Sequence, residues 1–161
     1  MNTTPQKSVI FSLFAGFDAF LLDRIHKYYQ LNIEGWTGGE LVPVTGFFNY
    51  RLVWNRGISY GLLSGFPQPV IMLIIGAAIG LLAWWWWREK SLLVRTGLAL
   101  VLGGALSNAT DRWLYGGVAD FFHFYTPNWS FFVFNLADTA ITLGALLLIL
   151  DVVLPKREIK V

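Results

Sequence analysis

Asp120 and Asp138 stand in short polar clusters, Gly117-Val118-Ala119-Asp120-Phe121 and Asn135-Leu136-Ala137-Asp138-Thr139, and neither has a local basic partner. In an otherwise apolar chain such carboxylates are costly, and an ionisable residue kept at that cost marks a functional site. Two carboxylates brought together at low dielectric do not both ionise easily. One keeps its proton and serves as an acid, while the other, ionised, takes a proton from water. That water can attack a peptide carbonyl, and the apparent pKa values then belong to the pair. Other hydrolytic schemes fit poorly. His26 and His123 are the only histidines, no His-Glu-x-x-His zinc pattern occurs, and cysteine is absent. Ser59 and Ser64 remain, but Gly61-Leu62-Leu63-Ser64-Gly65 misses the spacing of a nucleophile elbow and has no base close in sequence.

The elements that hold these acids must lie in a bilayer. The chain has 161 residues, is 55% hydrophobic and only 14% charged, with mean hydropathy +0.54, which excludes an ordinary soluble domain. Without cysteine there is no disulfide framework and no thiolate chemistry. The net charge of +2 is small and its basic residues are dispersed, so nucleic acid is not expected as a partner.

The reading is one integral membrane domain over residues 1–161, in the all-α class. It predicts four transmembrane helices, at about 9–28, 70–87, 92–114 and 135–154. The run Trp84 to Trp87 marks a membrane interface. The first span is a retained helix, because Asp18 and Asp23 interrupt its apolar run and no small-residue cleavage site follows. Seven basic residues fall on the side of the termini and five on the other, which puts both termini in the cytoplasm and the two aspartates at the outer face.

Two outer segments, 31–68 and 115–134, complete the expectation: a small extracytoplasmic β-hairpin or sheet and a short interfacial helix. Phe47 to Trp54 is strand-like, Asn55-Arg56-Gly57 reads as a turn, and Ile58 to Leu63 is the expected returning strand. Ten aromatic residues between Trp113 and Phe134 suit a segment embedded at the interface.

Positions three and four apart share a helix face. Asn135, Asp138 and Thr142 therefore form one polar stripe, Asn108, Asp111 and Arg112 a second, and Asp23 with Lys27 a third, all at the same outer depth. Simpler structural roles compete. Asp111 beside Arg112 reads as a helix-end ion pair, and Asp23 with Lys27 has the same i, i+4 explanation. Asp18, near mid-membrane, points elsewhere and is expected to be structural.

Four stretches resemble, in order, the boxes of the lipoprotein signal peptidases, or signal peptidase II. They are Asp23-Arg24-Ile25-His26-Lys27, Val53-Trp54-Asn55-Arg56-Gly57-Ile58-Ser59-Tyr60-Gly61, Gly103 to Arg112 running on to Val118-Ala119-Asp120-Phe121, and Phe134 to Thr142. The resemblance implies an aspartic intramembrane endopeptidase of the bacterial inner membrane. Such an enzyme removes the signal peptide of a prolipoprotein just before a diacylglyceryl-modified cysteine. It implies Asp120 and Asp138 as the catalytic pair, Asn108, Arg112 and Asn135 as supports, Asn55 in a substrate-contacting hairpin, and Asp23 near the site. No metal or organic cofactor is required. The implied partners are the lipid-modified precursor and membrane lipids, with the enzyme as a monomer. Arg24, where the family has glutamine, and the extra acid Asp18 are departures. The alternative is a small proton-coupled transporter, whose carboxylates would bind and release protons. The clustering of polar residues at the outer ends and the nearly bare second span disfavour a path through the bilayer.

Overall fold

The computed structural model describes residues 5–57 and 65–154. Four helices dominate: α1 (Pro5–Tyr28), α2 (Gln68–Arg88), α3 (Leu92–Tyr115) and α4 (Leu136–Val153). Local signals set their ends. Ser91 Oγ accepts from Val94 N to cap α3, and Gly116, at φ 72°, takes the left-handed conformation that closes it. Prolines begin α2, where a missing N–H costs nothing. Past Tyr28, α1 widens into a π-helical turn, Tyr29–Ile33.

Three of these helices, α2, α3 and α4, are long and apolar enough to cross a membrane. α1 is as long as α3 but carries Lys7, Asp18, Asp23, Arg24 and Lys27. Large apolar side chains such as Phe14, Leu73, Leu81 and Ile149 are exposed along the helices, a surface that suits lipid rather than water.

α3 is central, with α1, α2 and α4 packed on it. Two adjacent glycines allow that. A side chain at Gly103 would collide with the Gly16 carbonyl of α1, and one at Gly104 with the Ala137 carbonyl of α4. α2 and α4 hardly touch one another, which leaves a cleft between them in front of α3. The packed face of α1 is Ser8, Ser12, Asp23 and Lys27; Asp18 is exposed on a different face, near exposed Phe14, Leu21 and Leu22.

Over one end of the bundle lies an antiparallel sheet in the order β1 (Leu41–Thr45), β2 (Phe48–Asn55), β3 (Val118–Thr126), β4 (Trp129–Ser130). The expected strand at 47–54 is β2. The proposed return at 58–63 lies outside the described residues, and β2 pairs with β1 and β3. β1 contains Pro43, and as an edge strand it tolerates the missing donor. The expected short interfacial helix is not found among the described residues. The aromatic segment 115–134 forms β3, a turn and β4, consistent with the β preference of Phe, Tyr and Val. Leu52, Ala119 and Phe121 form the core under the sheet. His26 at the end of α1 stands edge-on to Phe121 at 4.9 Å.

Candidate active site

Two strand contacts bring the aspartates together. Asp120 lies in β3 opposite Val53 of β2, close to the Asn55 end of that strand. Two residues further along, Phe122 exchanges backbone hydrogen bonds with Phe134, at 2.8 and 3.1 Å. Phe134 precedes Asn135, the residue that caps α4, and Asp138 sits in that helix's first turn. Asn135 Oδ1 accepts from Asp138 N at 2.8 Å while Asp138 Oδ2 accepts from Asn135 N at 3.2 Å, a reciprocal capping box.

Each carboxylate oxygen of both aspartates accepts a hydrogen bond from an amide. Asp120 Oδ1 takes Asn135 Nδ2 at 2.6 Å, and Oδ2 takes Asn55 Nδ2 at 3.2 Å. Asp138 Oδ1 takes Asn108 Nδ2 at 2.8 Å, and Oδ2 the Asn135 backbone. Among the described residues neither acid forms an ion pair. Both line a cavity of about 560 Å³ in the cleft between α2 and α4, with Asn55, Asn108, Arg112 and, on the apolar side, Ile75 and Ile141. Asp120 is buried, and that burial, followed by the charge of Asp138, pushes its pKa up to about 8; the Asn55 and Asn135 amides and the Lys27 charge pull the other way. An acid that holds a proton beside a second carboxylate is equipped for acid–base chemistry.

The remaining candidates divide. Arg112 Nη2 donates to Gly57 O at 2.7 Å and Nη1 to Asn108 O at 3.3 Å, so the guanidinium ties the turn after β2 to α3 beside the cavity. Asn55 also accepts from Gly57 N at 3.1 Å, which fixes its amide toward Asp120. Asp23 does not face the cavity. It is fully buried behind it, paired with Lys27 Nζ at 2.7 Å, and accepts from Ser107 Oγ at 2.6 Å and Ala137 N at 3.0 Å.

Asp111 corrects an expectation: its ion-pair partners are Arg24 and Lys27, not the neighbouring Arg112. Adjacent residues on a helix point about 100° apart, so Asp111 turns toward α1 while Arg112 turns to the cavity. Arg24 finds Asp111 and the Ser107 carbonyl. The expected pair of Asp23 and Lys27 is present, but the reach of Lys27 to Asp111 and Asn108 was not legible from i, i+4 spacing. Ser107 was also missed, although it stands beside Asn108 in the third motif. No group of histidines and acids among the described residues is arranged to hold a metal.

Residues 17–154 match the family model described as Signal peptidase (SPase) II. The chain is 44% identical over 156 residues to a lipoprotein signal peptidase of Methylorubrum extorquens, covering 94% of this chain and 89% of that one. It is 39% identical over 155 residues to one from Nitrobacter hamburgensis, covering 92% and 93%. A third, from Rickettsia felis, is 38% identical over 143 residues, 87% of this chain and 73% of that protein. The fold is similar to that of a bacterial membrane enzyme solved by the in meso method, with TM-score 0.81, 25% identity and 94% of each chain covered.

Proposed function

This chain belongs to the signal peptidase II family, and from that membership we propose an intramembrane aspartic endopeptidase acting on diacylglyceryl-modified prolipoproteins. It removes the signal peptide by cleaving just before the lipidated cysteine. One observation carries the aspartic reading: two carboxylates that form no ion pair among the described residues share one cavity, each held by amide donors on both oxygens.

In this reading Asp120 holds the proton and Asp138 is the base. Asp138 takes a proton from water as the water oxygen bonds to the scissile carbonyl carbon, and Asp120 gives its proton to the carbonyl oxygen. The tetrahedral diol then collapses. Asp120 recovers a proton from a diol hydroxyl as the carbonyl re-forms. The C–N bond breaks, and the nitrogen takes the proton held on Asp138, leaving an acid and an amine. Asn55, Asn108 and Asn135 hold the carboxylates, Arg112 fixes the wall of the cavity, and Asp23 supports α4 from behind.

All four helices are proposed to span the inner membrane, with both termini cytoplasmic and the pair at the outer face, in a monomer forming a single domain. A precursor anchored by acyl chains reaches the cleft between α2 and α4 by lateral diffusion. Its scissile segment must be extended, since a helical carbonyl is already hydrogen-bonded. The test is the purified protein in vesicles with lipidated and unlipidated forms of one precursor, the product identified by mass. The expected product begins at the lipidated cysteine and forms equally well with a chelator present. Cleavage elsewhere, or loss of cleavage with chelator, overturns the proposal.

A further inference from the structure

Behind the cavity lies a lysine that the proposed chemistry does not use. Lys27 is fully buried, and its ammonium meets three acceptors: Asp111 Oδ2 at 2.6 Å, Asp23 Oδ2 at 2.7 Å and Asn108 Oδ1 at 3.0 Å. An ammonium has three N–H donors, so three acceptors match its full capacity. Each acceptor leads to the aspartate pair by a different route. Asp23 Oδ1 accepts from the backbone N of Ala137 at 3.0 Å, and Ala137 immediately precedes Asp138. Asp111 Oδ2 accepts from the backbone N of Ala119 at 3.2 Å, and Ala119 immediately precedes Asp120. Asn108 Oδ1 also accepts from Asn135 Nδ2 at 3.1 Å, so its own Nδ2 is turned to Asp138 Oδ1, at 2.8 Å. Two buried carboxylates therefore pin the peptides beside the two candidate acids, and one cation joins the pins.

We propose that Lys27 is the positioning residue that sets the separation of Asp120 and Asp138. The inference rests on the aspartic reading above and deepens it. Burying this ion cluster is poor economy for stability alone, since a well-packed apolar replacement is often as stable. Its geometry is specific instead. The compact ammonium serves three convergent acceptors, which the planar fork of an arginine does not reproduce. Among the described residues Arg24 bonds to the other oxygen of Asp111 and to the Ser107 carbonyl, so it neutralises the cluster without joining its two arms.

The experiment compares wild type, Asp120→Asn, Lys27→Arg and Lys27→Met, purified and reconstituted, with a lipidated precursor; folding is followed by thermal unfolding. The Lys27 variants are expected to fold and to lose about a hundredfold in kcat with KM within about threefold of wild type, the signature of displaced reacting groups. A folded Lys27 variant that keeps wild-type kcat, or changes KM alone, overturns the inference while an inactive Asp120→Asn leaves the aspartic reading standing. Full cleavage by Asp120→Asn overturns both. If neither Lys27 variant folds, Asp23→Asn loosens one arm with the lysine in place: a kcat about tenfold lower supports the inference, and an unchanged kcat overturns it.

Discussion

Asn135 donates its side-chain amide to Asp120 Oδ1 at 2.6 Å, and the same residue is the N-cap of the helix that carries Asp138. One side chain thus holds one candidate acid and orients the helix turn bearing the other. Its two functions are separable by substitution. Asn135→Ala removes both, and is expected to cost about 1 kcal/mol for the lost cap as well as most of the activity. Asn135→Asp keeps an oxygen to cap α4 but replaces the donor to Asp120 with a third carboxylate. Thermal unfolding and cleavage assays should find this second variant folded and inactive. Wild-type cleavage by Asn135→Asp would remove Asn135 from the machinery.

Asp120→Asn and Asp138→Asn are expected to abolish cleavage of a lipidated precursor, with losses of at least about a thousandfold for a group that is both positioned and proton-transferring. Both variants should still fold, since neither acid forms an ion pair among the described residues. Single-turnover assays on folded variants measure this directly. Combining the two substitutions should cost little more than either alone, because the two carboxylates act as a unit.

The raised pKa of Asp120 fixes the sign of the pH dependence. Burial and the neighbouring Asp138 push it up to about 8, so the acid keeps its proton at neutral pH and loses it above. kcat should therefore fall about tenfold per pH unit beyond the limb near pH 8. A profile measured at saturating precursor from pH 5 to 10 tests this, and a flat profile through pH 9.5 contradicts it. The same group's contribution to stability is fully present below its unfolded value of about 3.9 and is lost as pH rises through about 8.

Asp18 gives the opposite expectation. It is exposed on α1, away from the packed face that carries Asp23 and Lys27. Asp18→Leu should leave cleavage within about twofold of wild type and thermal stability unchanged or higher, because a carboxylate facing lipid is costly. A severe loss of activity in a folded Asp18→Leu protein would show that the first helix contributes more than its packed face.

The sequence was most legible where one residue's chemistry was exceptional for its surroundings. Asp120 and Asp138 stood out because nothing local balanced them, and both do line the same cavity. The helices were legible for a similar reason, since long apolar runs have few other uses. Adjacency of Asp111 to Arg112 suggests pairing in sequence, whereas the helix turns the two apart and Asp111 meets α1 instead. The i, i+4 spacing shows Lys27 as a local partner of Asp23 but carries no information about its reach to α3. The stretch from Trp113 to Phe134 offered ten large rings but no clear period, and the extended form it takes beyond α3 depends on pairing with β2, a partner distant in sequence.

The cleft between α2 and α4 has one further consequence if it is the doorway. Enzyme and precursor then meet in a sheet two molecules thick, and encounters depend on how many of each occupy a given area. Adding precursor-free lipid at fixed protein and precursor should slow cleavage, although neither molarity in the tube has changed. The rate of such an enzyme is a property of the membrane's crowding as much as of its own side chains.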